Sequence, residues 1–172
     1  NLKKENVSNV VDFSRKVESL RDDKFLNEIK KIKEFDKNFT FDDFISGANT
    51  FFKMVVSGFV EGDIENIKQY VKPKLVNDFQ KAIDERIRDK EKLIIDIINI
   101  NQTLIKNIKI RGSVVKINVL FDSEQIKALQ DKNDETIDGD LEEKIAVKDV
   151  WTFERNFKSD NINWTLVETT SN

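Results

Sequence analysis

The chain has 172 residues, of which 38% are hydrophobic and 35% are charged, and its formal net charge is −3. It contains no cysteine and no histidine, which excludes disulfides, thiolate nucleophiles and every site that needs an imidazole as base or metal ligand. No stretch reaches the roughly 18 apolar residues that a membrane-spanning helix requires. The composition is that of a globular domain with a heavily charged surface.

The charge is unevenly distributed along the chain. Residues 1–38 carry ten Lys+Arg against eight Asp+Glu, whereas residues 39–172 carry nineteen against twenty-four. An acidic body predicts no nucleic-acid partner, because such binding needs clustered cations. A weakly basic segment favours an anionic lipid surface instead. We therefore divide the chain into a helical arm at 1–38 and a domain at 39–172.

The arm carries an amphipathic pattern between residues 20 and 35. Four apolar residues recur at i, i+1, i+4 and i+7, which is one stripe of a helix, and lysines lie beside that stripe. Such a helix can lie on a membrane; it can equally pack on its own domain or on a second copy of the chain. The predicted membrane-contact residues are Lys24, Phe25, Leu26, Ile29, Lys30, Lys31, Ile32 and Lys33.

The first part of the body is helical. From Phe41 to Phe59, apolar residues recur at three–four spacing, which predicts a helix at the centre of the core. Gly62 ends this helix, and a short second helix follows over 64–71. Pro73 suits the first turn of a third helix, because its missing N–H has no partner there in any case.

The second part of the body changes to a strand-like period. Residues 93–100, 104–110, 115–121, 145–153 and 162–166 are predicted as strands, with a turn at Arg111-Gly112 and a polar loop at 130–142. Because no helix separates these strands, the sheet is predicted to be antiparallel. The sequence therefore predicts an α+β fold in which three helices cover one face of a meander.

Three segments carry a family resemblance. They are Phe-Asp-Asp-Phe-Ile-Ser-Gly-Ala at 41–48 leading to Phe-Val-Glu-Gly-Asp at 59–63, Asp-Val-Trp-Thr-Phe-Glu-Arg at 149–155, and Asn-Trp-Thr-Leu-Val-Glu-Thr at 163–169. Because the three segments occur in this order and at this spacing, the chain resembles the C-terminal domain of the forty-four-kilodalton subunit of the mitochondrial inner-membrane translocase. The resemblance is closer to the bacterial relatives of that domain.

The resemblance implies a cone-shaped fold of the nuclear-transport-factor-two kind, with an apolar pocket inside the cone. It implies a membrane-associated adaptor related to preprotein-translocase components, whose arm contacts anionic phospholipid, cardiolipin above all. The implied protein partner is an inner-membrane or translocation-related protein. The implied location is the cytoplasmic face of a bacterial inner membrane, with an anchoring segment upstream of this chain. Self-association through the arm is a further expectation.

The pocket has its own candidate residues. Aromatic stripes at helical spacing are usually core, so a plain core stays the alternative to a ligand site. The predicted pocket-lining residues are Phe44, Phe51, Phe52, Val55, Phe59, Trp151 and Phe153.

A second function remains open for such a pocket. A cone cavity suits a small-molecule or lipid carrier, or a small enzyme in which Asp149 acts as a base and Arg155 shares its strand face. No catalytic group partners Asp149 in the sequence, so we assign no catalytic residue and no cofactor, and predict that the chain is not an enzyme.

The polar loop at 130–142 is rich in acidic residues that resemble calcium ligands. Its spacing lacks the EF-hand pattern of oxygen ligands at positions 1, 3, 5 and 12 with glycine at 6. We therefore predict a solvated loop and assign no metal site. The acidic residues are Asp131, Asp134, Glu135, Asp138 and Asp140.

Overall fold

The computed structural model of the protein describes residues 14–171. The chain divides into two compact units, Asn1–Thr40 and Phe41–Asn172. The first unit contains helical residues 14–24 (α1) and the helix α2 (Leu26–Phe35). The second unit contains α3 (Phe41–Glu61), a 3-10 helix (Lys68–Tyr70), α4 (Pro73–Arg88), β1 (Lys92–Arg111), β2 (Val114–Gln130), β3 (Thr136–Asn156) and β4 (Thr165–Ser171).

The four strands form one antiparallel sheet in the order β1-β2-β3-β4. The predicted α+β class and the antiparallel meander are therefore confirmed. The two segments predicted as separate strands, 93–100 and 104–110, belong to the single strand β1. Three register irregularities interrupt its pairing with β2, between 97 and 99, 100 and 102, and 105 and 107. Bulges of this kind bend a strand and increase its twist, so β1 stays one strand while the sheet curves.

The predicted polar loop at 130–142 is wrong. The turn occupies only 131–135, and β3 begins at Thr136, where Asp138, Gly139 and Asp140 pair with residues of β2. This end of β3 is exposed on both faces, so the residues need no alternation of polar and apolar side chains to form a strand. Backbone pairing outweighs the polar composition there.

Two other predicted elements also differ. The segment after α3 forms only a 3-10 helix, not an α-helix. The last strand begins at Thr165, so Ile162, which we predicted to lie in that strand, precedes it and is 71% exposed. Leu166 is buried and pairs with Phe153. Because Ile162 and Trp164 stand at two-residue spacing before Leu166, the sequence pattern extended the strand backwards beyond its first residue, Thr165.

The core is centred on one aromatic side chain of α3. Phe52 is fully buried; its ring centroid lies 4.4 Å from that of Phe121 in a stacked arrangement and 4.8 Å from that of Trp151. Phe121 and Trp151 are themselves 5.4 Å apart. The predicted central core helix is confirmed, and these rings fix α3 on the β2–β3 part of the sheet.

The end of α3 is closed by backbone and side-chain caps. Gly62 has φ +75, and the Asp63 N–H donates to the carbonyl of Gly58 at 2.9 Å, which is the Schellman arrangement. From α4, the Arg86 guanidinium donates to the carbonyls of Phe59 at 2.7 Å and Val60 at 3.1 Å. Burial lowers the pKa of Arg86 from its ordinary value, yet these carbonyls stabilise its charge.

Two glycines of α3 should respond oppositely to alanine. Gly47 is exposed, and a Cβ there would meet nothing within 4 Å. We expect Gly47→Ala to raise the free energy of unfolding by about 0.5–1 kcal/mol, because alanine loses less backbone entropy in a helix. A Cβ at Gly58 would lie 2.7 Å from the Asp63 carbonyl oxygen, so Gly58→Ala should lower it. Urea unfolding measures both, and equal effects would contradict this account.

Candidate functional site

A cavity of about 330 Å³ opens between the helices and the sheet of the second unit. Its volume lies at the small end of the range for small-molecule sites. One wall consists of apolar side chains from α3 and α4, and the other consists of β1, β2, β3 and the end of β4. The lining residues are Phe52, Val55, Val56, Phe59, Phe79, Ile95, Gln125, Lys127, Asp149, Trp151, Thr169, Thr170 and Ser171. We call this space the helix-side pocket.

Four of the seven predicted pocket residues line the helix-side pocket. They are Phe52, Val55, Phe59 and Trp151. Phe59 also contacts the ring of Phe79 on α4, with centroids 5.9 Å apart. The α3–α4 contact therefore forms the apolar wall, and this wall suits an acyl chain or an apolar side chain of a partner.

The other three predicted residues pack in an adjoining aromatic cluster, which meets the pocket residue Trp151 through Phe153 at 6.5 Å between ring centroids. The ring of Phe153 lies 5.9 Å from that of Phe44 and 6.2 Å from that of Phe51. Phe44 further contacts Trp164 at 5.0 Å, and Phe51 contacts Tyr70 at 6.1 Å. Helical spacing showed that Phe44 and Phe51 share the inward stripe of α3 with Phe52, but not which turns of the helix face an opening.

Buried polar groups at the pocket were not predicted. Gln125 is 2% exposed and Ser123 is fully buried, and the Gln125 amide nitrogen donates to the Ser123 hydroxyl at 2.8 Å. Both continue the inward alternation of Val119 and Phe121 along β2. Polar side chains at inward positions of a strand are a readable signal, because burial of a polar group costs free energy unless it is hydrogen-bonded. The positions of Ser123 and Gln125 in the β2 alternation could therefore have identified them as buried polar residues.

Asp149 lies in the lining of the helix-side pocket, and Arg155 does not. The Arg155 guanidinium instead lies over the ring of Phe157, 4.1 Å from its centroid. Among the described residues that line the pocket, Asp149 and Lys127 are the titratable ones. The arrangement provides an apolar volume with a few polar groups at one wall, which is the usual character of a binding site.

The eight predicted membrane-contact residues of the arm include both buried and exposed side chains. Phe25 is 4% exposed and Ile32 is fully buried, and Ile29 is half-buried. Leu26, at 48% exposure, is the exposed member of the apolar stripe. Because burial of apolar side chains is favourable, Phe25 and Ile32 face inward. Lysines therefore predominate on the exposed surface of α2. The exposed lysines are Lys24, Lys30, Lys31 and Lys33. Membrane contact by these eight residues stays a prediction.

Two further properties concern the whole described range. Within residues 14–171, no helix combines the length and hydropathy needed to cross a bilayer. Over the same range, no three potential His, Cys, Asp or Glu ligands converge on one point. The acidic residues of the β2–β3 hairpin instead make local turns: the Asp131 carboxylate accepts the N–H groups of Asn133 at 2.8 Å and Glu135 at 3.1 Å.

The fold and the sequence together identify the family. The model of the Tim44-like domain matches residues 27–171, from α2 to β4. The chain belongs to the Tim44-like domain family. The resemblance drawn from the three sequence segments is thereby confirmed, and so is the cone-shaped nuclear-transport-factor-two-like fold. The Tim44-like region begins inside α2, so the family pattern includes the last third of the arm, residues 27–38.

The Tim44-like fold also occurs in a solved structure of low sequence identity. The crystal structure of the intermembrane space region of chloroplast protein ARC6 is 12% identical, with a TM-score of 0.50. The alignment covers 74% of this chain and 95% of that one. This likeness shows a shared fold alone. Among curated protein sequences, none matches the chain.

Proposed function

We propose that this Tim44-like chain is a membrane-associated adaptor related to preprotein-translocase components. In this proposal the arm contacts an anionic lipid surface, and the second unit holds a protein partner. The observation that carries the proposal is the family match over 27–171, which includes all of α2 but its first residue and the whole sheet. The proposed location is the cytoplasmic face of a bacterial inner membrane, with cardiolipin as the preferred lipid and an anchor in an upstream segment.

The exposed surface of α2 supports lipid contact through charge. Lys30, Lys33 and Leu26 follow each other at helical spacing on one exposed stripe, and Phe35 adds a second exposed apolar side chain. Each lysine near an anionic surface contributes about 1 kcal/mol. Two apolar side chains beside several lysines suit a peripheral, salt-sensitive contact. Insertion of Phe25 and Ile32 as well would require both to leave their buried positions.

The helix-side pocket supports the partner half of the proposal. Its α3–α4 wall accepts one or two apolar side chains of an extended segment. The Gln125 amide can donate hydrogen bonds to a partner backbone and accept them from it, and the Asp149 carboxylate can accept them. Binding, not catalysis, is what this chemistry favours. Asp149 has no imidazole partner, since the chain contains no histidine, and the pocket presents no arranged nucleophile.

Charge reversal on the arm tests the lipid contact. We expect the triple variant Lys30→Glu, Lys31→Glu, Lys33→Glu to bind cardiolipin-containing vesicles at least 100-fold more weakly than the parent chain, because three attractions of about 1 kcal/mol each are lost and reversed. Co-sedimentation with cardiolipin-containing and with neutral vesicles measures this.

The matched control reverses three exposed lysines elsewhere, Lys53, Lys81 and Lys158, and so changes net charge equally. Binding that falls in the arm variant but not in the control supports the arm as the lipid-contacting element. Equal loss in both variants, or no sedimentation of the parent chain, would refute the lipid half of the proposal. The mass of each variant in solution, measured in parallel, would reveal self-association through the arm.

A carrier of a small lipid or apolar molecule is the second candidate function. The hydrogen-bonded pair Gln125–Ser123 favours it, since a buried amide at the wall of an apolar pocket can hold the polar end of a ligand. Mass spectrometry of the organic extract of the purified chain tests this. A single co-purified lipid at near one per chain, lost on Val55→Trp, would favour the carrier; an empty pocket would favour the adaptor.

A further inference from the structure

A second cavity lies on the sheet face that points away from α3. Along β2, Lys116 and Asn118 alternate with the buried residues Val115, Ile117 and Val119, so they point to the opposite face. The cavity has a volume of about 350 Å³. Its lining residues are Lys72, Asn107, Lys109, Lys116, Asn118, Thr152, Val167 and Glu168. We call it the outer-face cavity.

The lining is organised in two rows across the strands. In one row, Lys109 of β1 pairs with Lys116 of β2, which pairs with Glu154 of β3. The neighbouring row runs from Asn107 through Asn118 and Thr152 to Glu168 of β4 and has no cation of its own. A row of lysines therefore borders a row of amide and hydroxyl groups.

The lysine row contains a like-charge pair. Lysines directly opposite each other on neighbouring strands repel and destabilise a sheet. Glu154 offsets this only for Lys116, whose ammonium lies 3.5 Å from the carboxylate. Within residues 14–171, no ion pair involves Lys109. A bound anion between the two strands would remove the repulsion.

The chain topology places two further cations, Lys72 and Arg111, near the outer-face cavity. The Lys72 N–H donates to the Leu166 carbonyl at 2.8 Å, which fixes Lys72 beside β4. Arg111 lines a smaller depression of about 150 Å³ that shares Lys109 and Lys116 with the outer-face cavity. Four cations thus face two carboxylates, Glu154 and Glu168, in a domain that otherwise carries excess negative charge. The cations come from three separate segments of the chain.

The amide row can supply hydrogen bonds to an anion. The Asn118 amide donates to the Thr152 hydroxyl oxygen at 2.8 Å. Because this oxygen accepts that bond, its own hydrogen is available to donate. Thr152 is 7% exposed, so a donor there sits at the bottom of the cavity, where hydrogen bonds to a charged group are stronger than in water.

We propose that the outer-face cavity binds a phosphate group. Lys72, Lys109 and Lys116 supply the charge, and Asn118 and Thr152 supply directed hydrogen bonds. A doubly charged group suits several lysines better than a single carboxylate does, and the volume admits a small phosphate ester. The phosphate can belong to a soluble molecule or to a lipid headgroup, and the chemistry of recognition is the same for both.

Nuclear magnetic resonance titration of the ¹⁵N-labelled chain with sodium pyrophosphate, at constant ionic strength, tests the site. We expect saturable amide shifts confined to residues near Lys109, Lys116 and Thr152. The double variant Lys109→Gln, Lys116→Gln should bind at least tenfold more weakly, and its thermal midpoint should not fall, since a repulsive pair has been removed. The control Lys53→Gln, Lys81→Gln should bind like the parent chain.

Shifts that spread over surface lysines without saturating, or equal weakening in the control, would overturn the proposal. Two further experiments distinguish a soluble phosphate from a lipid headgroup. The first replaces pyrophosphate by glycerol 3-phosphate in the titration. The second measures sedimentation with phosphatidylglycerol vesicles, using the chain in which Lys30, Lys31 and Lys33 are replaced by glutamate. Binding of the soluble ester alone identifies a soluble ligand. Sedimentation that depends on Lys109 and Lys116 identifies a headgroup. Failure of both probes contradicts the site.

Discussion

Phe52→Ala should lower the free energy of unfolding by about 3–5 kcal/mol, the largest single effect that we expect in this domain. Phe52 is fully buried and touches the rings of both Phe121 and Trp151. Truncation removes these contacts and joins the vacated space to the helix-side pocket. Equilibrium urea unfolding, followed by the fluorescence of the two tryptophans, measures the change.

Met54 provides the matched control on the same helix. Its side chain is 43% exposed, so Met54→Ala should change the free energy of unfolding by less than about 0.5 kcal/mol. If Phe52→Ala costs no more than Met54→Ala, then α3 is not the helix that fixes the sheet. A smaller m-value in the Phe52 variant would indicate partial loss of structure instead of a simple cavity.

Replacement of Arg86 by methionine should cost about 2–3 kcal/mol, because two charge-assisted hydrogen bonds to the end of α3 are lost. Methionine keeps much of the apolar stem while it leaves the Phe59 and Val60 carbonyls without this donor. The guanidinium also lies 5.1 Å from the centre of the Phe59 ring, so the α3–α4 wall of the pocket should loosen. Hydrogen exchange at the last turn of α3 should rise together with the loss of stability.

Arg88 is the control for this change. It lies on the same helix, is largely exposed, and pairs with the adjacent Asp89 carboxylate at 3.1 Å. A surface pair of this kind contributes little, so Arg88→Met should leave urea unfolding nearly unchanged. Similar losses in both variants would mean that helix propensity or net charge, and not the cap on α3, explains the result.

Much of this fold follows from local patterns in the sequence. The three–four spacing of α3 identified the core helix, and Gly62 and Pro73 marked a helix end and a helix start that the structure confirms. Clean alternation in β2 identified its inward face. These features could be predicted because each depends on neighbours within about one turn or one strand pair.

The features that the sequence did not determine depend on distant parts of the chain. The acidic segment around Asp138 is a strand because β2 supplies its hydrogen-bond partners. The stripe of α2 predicted which side chains are apolar, but burial of Ile32 depends on what surrounds the helix. Which aromatic residues of α3 line a cavity, and the facing of Lys109 with Lys116, require the register of strands that the sequence does not state. The spacing of apolar residues shows which side chains share one face of a helix or strand, but tertiary packing determines whether that face is buried or lines a cavity.

The β2–β3 hairpin also affects the tendency of this chain to pair with strands of other copies. In the described part of the chain, β3 pairs with β4 only from Asp149 to Glu154, so residues 136–148 leave a free strand edge. Free edges recruit other strands and start aggregation. Here Asp138, Asp140 and the pair Glu142-Glu143 place repelling charge along that edge, and a pairing irregularity between 125 and 127 of β2 displaces residues 141–144. The acidic composition that resembled a calcium loop thus disfavours the addition of a further strand at this edge through charge repulsion.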